Sequence, residues 1–413
     1  MNKLCALLGG AVFMLTGAQA FAQEPLKVAL IEMLSGPNAA TGSVYVSAAK
    51  YEIDKLNEAG GYNGKPIVLL TYDNQGTPAG ASEKVTAALN DGARVIVQGV
   101  SFSISGQITD DVRRYNLRNP NDPAIFLNAG SEARPMTGDK CHFYHFKFAA
   151  DADSRVRAIA HAFKDKSIGN GKVFIVNQNV LFGQEMEDAS RRLAQEGGLT
   201  VVDAVQHEPN KLQDFSPLVA RIAASGADTV IVGSWGNDVL LLMKAAAEAK
   251  LKVKFIGMFL DFPGNIRSAG DVAEGALNIE FFNPENGGEA GMAYGRDFMA
   301  KTGAWPYAPQ DRVVYTLAFF GEALKATPPK DGKISIKDIA LAIENVHYNA
   351  PHGPMAMRKE DHQAYIPIAI SEVSRKAAAK LEGTPFGLLP VANVSAEDSI
   401  APVQASCKMK RPD

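Results

Sequence analysis

The chain has 413 residues, 46% of them hydrophobic and 21% charged, enough for two ordinary domains with cores of their own. A net charge of −3, with no Lys/Arg block and no interleaving of basic and aromatic residues, leaves no footprint for nucleic acid, and none is expected as a partner. Residues 1–22 read as an export leader. Lys3 supplies the positive end, "LCALLGGAVFML" the apolar stretch, and "AQAFA" the small residues a signal peptidase cuts beside. The apolar stretch is shorter than the roughly 20 residues of a membrane span. Cleavage is expected after Ala22, with Ala20 as the competing position, and the loss of Lys3 takes the charge from −3 to −4. Cys5 lies too early for a lipid-anchored cysteine. Cys141 and Cys407 remain, and an oxidising compartment with an even count predicts a disulfide tying the C-terminal segment to the body; two separate thiols are the alternative.

After the leader, strand-like apolar runs alternate with helical patterns. Strands are expected at 26–33, 66–73, 95–100 and 124–128, with helices at 43–59, 79–90 and 105–115 between them. "CHFYHFKF" (141–148) reads as strand and precedes a second series, with strands at 172–177, 199–206, 229–232 and 254–257 and helices at 152–165, 183–196, 215–225 and 238–249. Strand–helix–strand repetition predicts an α/β fold with parallel sheets covered on both faces, here as two lobes whose ligand-competent loops lie at the carboxyl ends of the strands. After a strand at 277–282, helices at 288–302, 310–325 and 335–345 return to cover the first lobe, and "AYIPIAISEV" (364–373) adds a strand pair over the second. The expected division is 23–145 plus 283–350 for lobe 1, 146–282 plus 351–385 for lobe 2, and a C-terminal tail at 386–413.

Catalytic signatures are mostly missing. "GVSFS" lacks the closing glycine of a nucleophile elbow, "HEPN" at His207 lacks a second histidine, and "LSGPNAATGS" lacks the lysine and spacing of a phosphate loop. Cys141, His142 and His145 could suggest metal ligands, but on a strand His142 would point away from the other two, and no second cluster accompanies them. Neither metal nor cofactor is expected. What recurs instead is the strand-end loop rich in hydroxyls and small residues: "LSGPNAATG" (34–42), "GVSFSISG" (99–106) and "NAGS" (128–131). Each alone is an ordinary helix cap; three from one sheet suggest an anion pocket of backbone N–H groups and hydroxyls. In the second series "NVLFGQE" places Phe182, "GSWGND" places Trp235 and Asp238, and "GMFLDFPGN" places Phe259, Asp261 and Phe262. Trp235, between glycines beyond a strand, suits a pocket wall. Asp238 is expected to cap the following helix, and Asp261 either to face a ligand amine or to cap the turn at "PGN".

With these residues in view, the chain resembles the periplasmic type I solute-binding proteins of branched-chain amino acid ABC importers. The likeness rests on "KVALIEMLSGPNAATG", "EAGGYNGKPIVLLTYDNQGTP", "FGQE", "AEGAL" and "HGPMAMRKEDHQ", in order along nearly the whole mature chain. It implies two Rossmann-like lobes joined by a three-crossing hinge that close on a ligand, with a membrane permease and cytosolic ATPases as partners. It also implies that a ligand carboxylate is gripped by Ser101, Phe102 and Ser103 and by Ala129, Gly130 and Ser131. Phe182 and Trp235 would supply aromatic contacts, an acid near Asp261 would meet the α-amino group, and Thr41 would wall the side-chain pocket. Phe182 stands where the family usually has tyrosine, and Phe259 falls on or beside its amino-binding glutamate. The expected function is capture of a branched-chain amino acid or related small carboxylate by a monomer acting without catalysis in the periplasm. Aromatic or other non-amino acids are the alternative ligands, and a periplasmic hydrolase or a sensor partner the alternative classes.

Overall fold

The structure, a computed structural model, describes residues 24–36, 39–99, 101–166, 168–169, 171–330 and 332–412; the expected leader lies outside them. Its first sheet is built from β1 (Lys27–Glu32), α1 (Ala39–Glu58), β2 (Val68–Asp73), α2 (Pro78–Asn90), β3 (Val95–Gln98), α3 (Phe102–Arg118), β4 (Ile125–Asn128) and β5 (His145–Lys147). The strands are parallel, in the order β2-β1-β3-β4-β5. Burial on both faces explains why β3 and β4 read as unbroken apolar runs.

The second series is α4 (Ala152–Lys164), β6 (Lys172–Gln178), α5 (Leu181–Gln195), β7 (Thr200–His207), α6 (Ser216–Ser225), β8 (Thr229–Val232), α7 (Asn237–Glu248), β9 (Lys254–Gly257), α8 (Asn265–Ala269) and β10 (Leu277–Glu280). Then α9 (Gly288–Thr302), α10 (Ala308–Ala326) and α11 (Ile336–Ile343) pack with α1 and the first core. The chain continues through β11 (His347–Ala350), β12 (Gly353–Met357), β13 (Ala364–Tyr365), β14 (Ile368–Ser374), β15 (Gly387–Val394) and α12 (Ala396–Ser399). The second sheet runs β15-β14-β10-β9-β8-β6-β7, and β11, β12 and β13 form a small antiparallel sheet.

Several expectations need correction. "CHFYHFKF" is strand only over β5, so Cys141 and His145 share no strand face. The pair expected at "AYIPIAISEV" divides between two sheets, because Pro367 has no N–H to continue a ladder. Met355, Met357 and Ala364 belong to the first core, so the last passage into the second sheet comes at Ile366–Ile368 rather than at 350. Phe146, Phe148, Phe281 and Phe282 also lie in the first core, which moves the other two passages to about 149–151 and 280. Residues 387–394 are a strand of the second sheet, not tail. The disulfide Cys141–Cys407 is formed.

Candidate ligand-binding cleft

In each sheet one pair of neighbouring strands sends its following helices to opposite faces, which opens a crevice at the strands' carboxyl ends. In the first sheet that pair is β1 and β3, in the second β6 and β8. The sequence places its hydroxyl and aromatic loops at these points.

On the first side, Thr41 sits half-buried in the first turn of α1. Ser101 precedes α3 with φ +75°, a left-handed conformation costly for serine, and its side chain does not cap the helix. Its Oγ lies 3.0 Å from Ser103 Oγ. The ordinary-cap reading of this loop therefore fails for Ser101. Phe102 rests half-buried against the cluster containing Met33 and Met136. Ala129, Gly130 and Ser131 are buried beyond β4. Ala129 N–H still donates to Gln98 O (2.9 Å), and Ser131 N–H donates to Asn128 Oδ1 (2.8 Å). Ser131 Oγ has no hydrogen-bond partner among the described residues. A Cβ on Gly130 would lie 1.8 Å from Gly99 O, so only glycine lets this loop meet the serine loop. Two of the predicted anion-binding loops are thus in direct contact.

On the second side, Asn177 Nδ2 donates to Gly183 O (2.8 Å) and its Oδ1 accepts Gly233 N–H (2.9 Å), tying the loops that follow β6 and β8. Phe182, Phe259 and Phe262 form an aromatic row with successive centroid separations of 5.3 and 5.2 Å. Trp235 is 48% exposed in the strand-end loop after β8. Asp238 does not cap α7: it accepts from Gln178 Nε2 (2.7 Å) and Asn210 N–H (2.9 Å). Asp261 does not cap "PGN" either. Its buried Oδ2 accepts Ala308 N–H (3.2 Å) at the start of α10. Burial and then the Glu280 charge push its carboxyl up to about 7, against Ala308 N–H, Asn278 and Arg312.

Sequence reading missed the charges that join the two sides. Arg155 on α4 pairs with Glu132 (2.9 Å) and Glu280, and Arg312 on α10 pairs with Glu132 (2.7 Å) and Glu280 (2.6 Å), all four buried. Arg312 also donates to Gly130 O (3.3 Å) and lies over the Phe262 ring, while Arg155 lies over Phe259. These two guanidiniums bring the Ala129–Ser131 loop and the aromatic row together. Glu32 and Tyr45 lie under the serine loop: Gly99 N–H donates to Glu32 Oε1, and neither Glu32 Oε2 nor the Tyr45 hydroxyl has a hydrogen-bond partner among the described residues. Burial pushes the Glu32 carboxyl up to about 8, against the Gly99 and Met33 N–H groups. A usable signal was present for the arginines. Arg155 shares a helical stripe with Ala152 and Ile159, and Arg312 lies in a helix buried all round.

Residues 25–379 match the periplasmic binding protein family. The chain is 50% identical over 402 residues to the Leu/Ile/Val-binding protein homolog 4 of Brucella melitensis biotype 1, covering 97% of each. Its structure superposes with a TM-score of 0.90 on the crystal structure of a leucine-, isoleucine-, valine-, threonine- and alanine-binding protein from Brucella ovis in a closed conformation. That protein is 51% identical, with 94% of this chain and 100% of the other covered. The fold is shared as well with an R. palustris ABC transporter solute binding protein solved with benzoate, at a TM-score of 0.72, 20% identity, and 93% and 100% coverage. With two crevices facing each other across a charge-bonded hinge, the chain belongs to the periplasmic binding protein family as a two-lobed solute-binding protein.

Proposed function

We propose that the protein captures a branched-chain amino acid, or a closely related small carboxylate, between its lobes and hands it unchanged to an ABC permease and its ATPases. The observation that carries this reading is the meeting of the Ser101 and Gly130 loops with the aromatic row through Arg312 and Arg155. The first-turn N–H groups of α3 and the hydroxyls of Ser101, Ser103 and Ser131 suit a carboxylate. Phe182, Phe259 and Trp235 suit an apolar side chain, with Thr41 and Phe102 bordering it. Asp261 titrates near neutrality, and an ammonium group beside it would favour its ionised form. The ligand touches both lobes only when they close, so its differential contacts drive closure. No catalysis is needed. The relatives' names support the ligand class, and the leader read in residues 1–22 supports a periplasmic place of work for the monomer.

Leucine, isoleucine and valine are expected to change the Trp235 fluorescence of the mature protein saturably, and Trp235→Phe to abolish the change, leaving Trp305 as a silent reporter. A protein unresponsive to all three, by fluorescence and by calorimetry, sinks the reading. The aromatic row also favours a second ligand class, aromatic carboxylates; tighter binding of benzoate than of leucine would select it. Gly130→Ala forces the Gly99 loop away at a cost of about 1–3 kcal/mol. It should weaken leucine binding at least roughly tenfold while far-UV circular dichroism stays unchanged.

A further inference from the structure

We propose that the C-terminal segment after β15 is a fourth connection between the lobes, a strap that limits how far the cleft opens. It begins on the second lobe, where α12 packs on α4 through buried Ala396 and Ser399. It ends on the first, where Cys407 is bonded to Cys141 and Met409 packs against the core. Arg411 beyond it pairs with Glu344 (2.7 Å), the residue closing α11.

The pivot is Ala401. Its N–H donates to Ser154 Oγ (3.0 Å) on α4, and its carbonyl accepts from Arg358 (2.7 Å) at the end of β12. Ser154 Oγ in turn donates to Asp151 Oδ1 (2.8 Å), in the first passage between the sheets. One peptide residue is therefore held by both lobes at once. Three residues on, Gln404 Nε2 donates to Arg134 O (2.6 Å) and Thr137 Oγ1 (3.3 Å) on the first lobe. Gly138 lies under the same stretch, since a Cβ there would come within 2.9 Å of Ser406 Oγ. Separating the lobes by more than an ångström or so along this edge must break an Ala401 bond or peel the segment from Arg134. The disulfide keeps the far end from leaving, so each broken contact re-forms readily. The strap thus opposes the same rotation that the three backbone passages permit.

The test is small-angle scattering of the ligand-free mature protein, wild type against Ser154→Ala and against Cys141→Ser/Cys407→Ser. The first variant removes the Ala401 hold on α4 and keeps the disulfide; the second removes the covalent tie to Cys141 and keeps Ser154. Both are expected to open wider, raising the radius of gyration by about 1 Å on roughly 21 Å. A ligand-free profile superimposable on wild type for either variant overturns the strap and leaves the segment a stabiliser only. Leucine, as the probe, should bind both variants about threefold more weakly, because closure starts from a more open population. That arm rests on the proposed ligand. The scattering comparison involves no ligand and fails or succeeds apart from it.

Discussion

Replacing Arg312 by alanine is expected to destabilise the protein by about 3–5 kcal/mol. The guanidinium is buried, and burial alone would make its charge easier to lose; Glu280 and Glu132 reverse that and hold it firmly protonated. Glu280, whose burial would raise its carboxyl, is likewise held below the usual range by Arg155 and Arg312. Without Arg312, two buried carboxylates share one cation, and Gly130 O loses its donor. Removal of one partner from a desolvated set costs far more than the set's net worth, because the survivors stay buried and uncompensated. Glu280→Gln should therefore recover part of the loss when combined with Arg312→Ala. Thermal melts of the two single variants and the double variant at one pH give the coupling directly. Purely additive losses would mean that the two charges do not act as one unit. The same four residues join Glu132 beyond β4 to α4, β10 and α10, so the variant should also loosen the angle between the lobes.

The two sheets were legible because parallel strands buried on both faces leave nearly pure apolar runs, as in β3, β4 and β8. The strand-end loops followed from the same grammar: Ser101, Gly130, Phe182 and Trp235 all come just after a strand. Legibility stopped where chemistry depends on distant partners. Residues 387–394 read as tail, yet they form β15, an edge strand in which the register shift opposite Ile370–Ser371 lets Pro390 sit. The helical patterns around Arg155 and Arg312 hint at burial but name no partner; only the fold shows that Glu132 and Glu280 meet them. Asp261 stands out in the sequence as a lone acid among aromatics, but its bond to Ala308 N–H comes from a segment 47 residues away. Glu32 closed an apolar run and attracted no notice, since nothing local marks a carboxyl that Gly99 will cover.

Glu32 gives the second large effect, in pH dependence. Its carboxyl titrates near 8 in the folded protein against an ordinary 4.5. Between those values the unfolded chain has already released a proton that the folded chain keeps. Stability must then fall as pH rises from about 4.5 to 8, level off above 8, and show no contribution from this group below 4.5. The full contribution is on the order of 5 kcal/mol. Glu52, Glu185 and Asp261, each pushed up to about 7 chiefly by burial, add falls in the same direction, so the wild-type profile alone assigns nothing to Glu32. Glu32→Gln isolates it. The amide cannot ionise and can still accept Gly99 N–H, so the variant should melt above wild type at pH 9 and no higher than wild type at pH 5. Equal differences at both pH values would mean that the carboxyl carries its charge inside the fold throughout. A neutral Glu32 also fits the proposed function: directly beneath the Ser101 loop, an ionised carboxylate would repel the ligand carboxylate proposed to bind there.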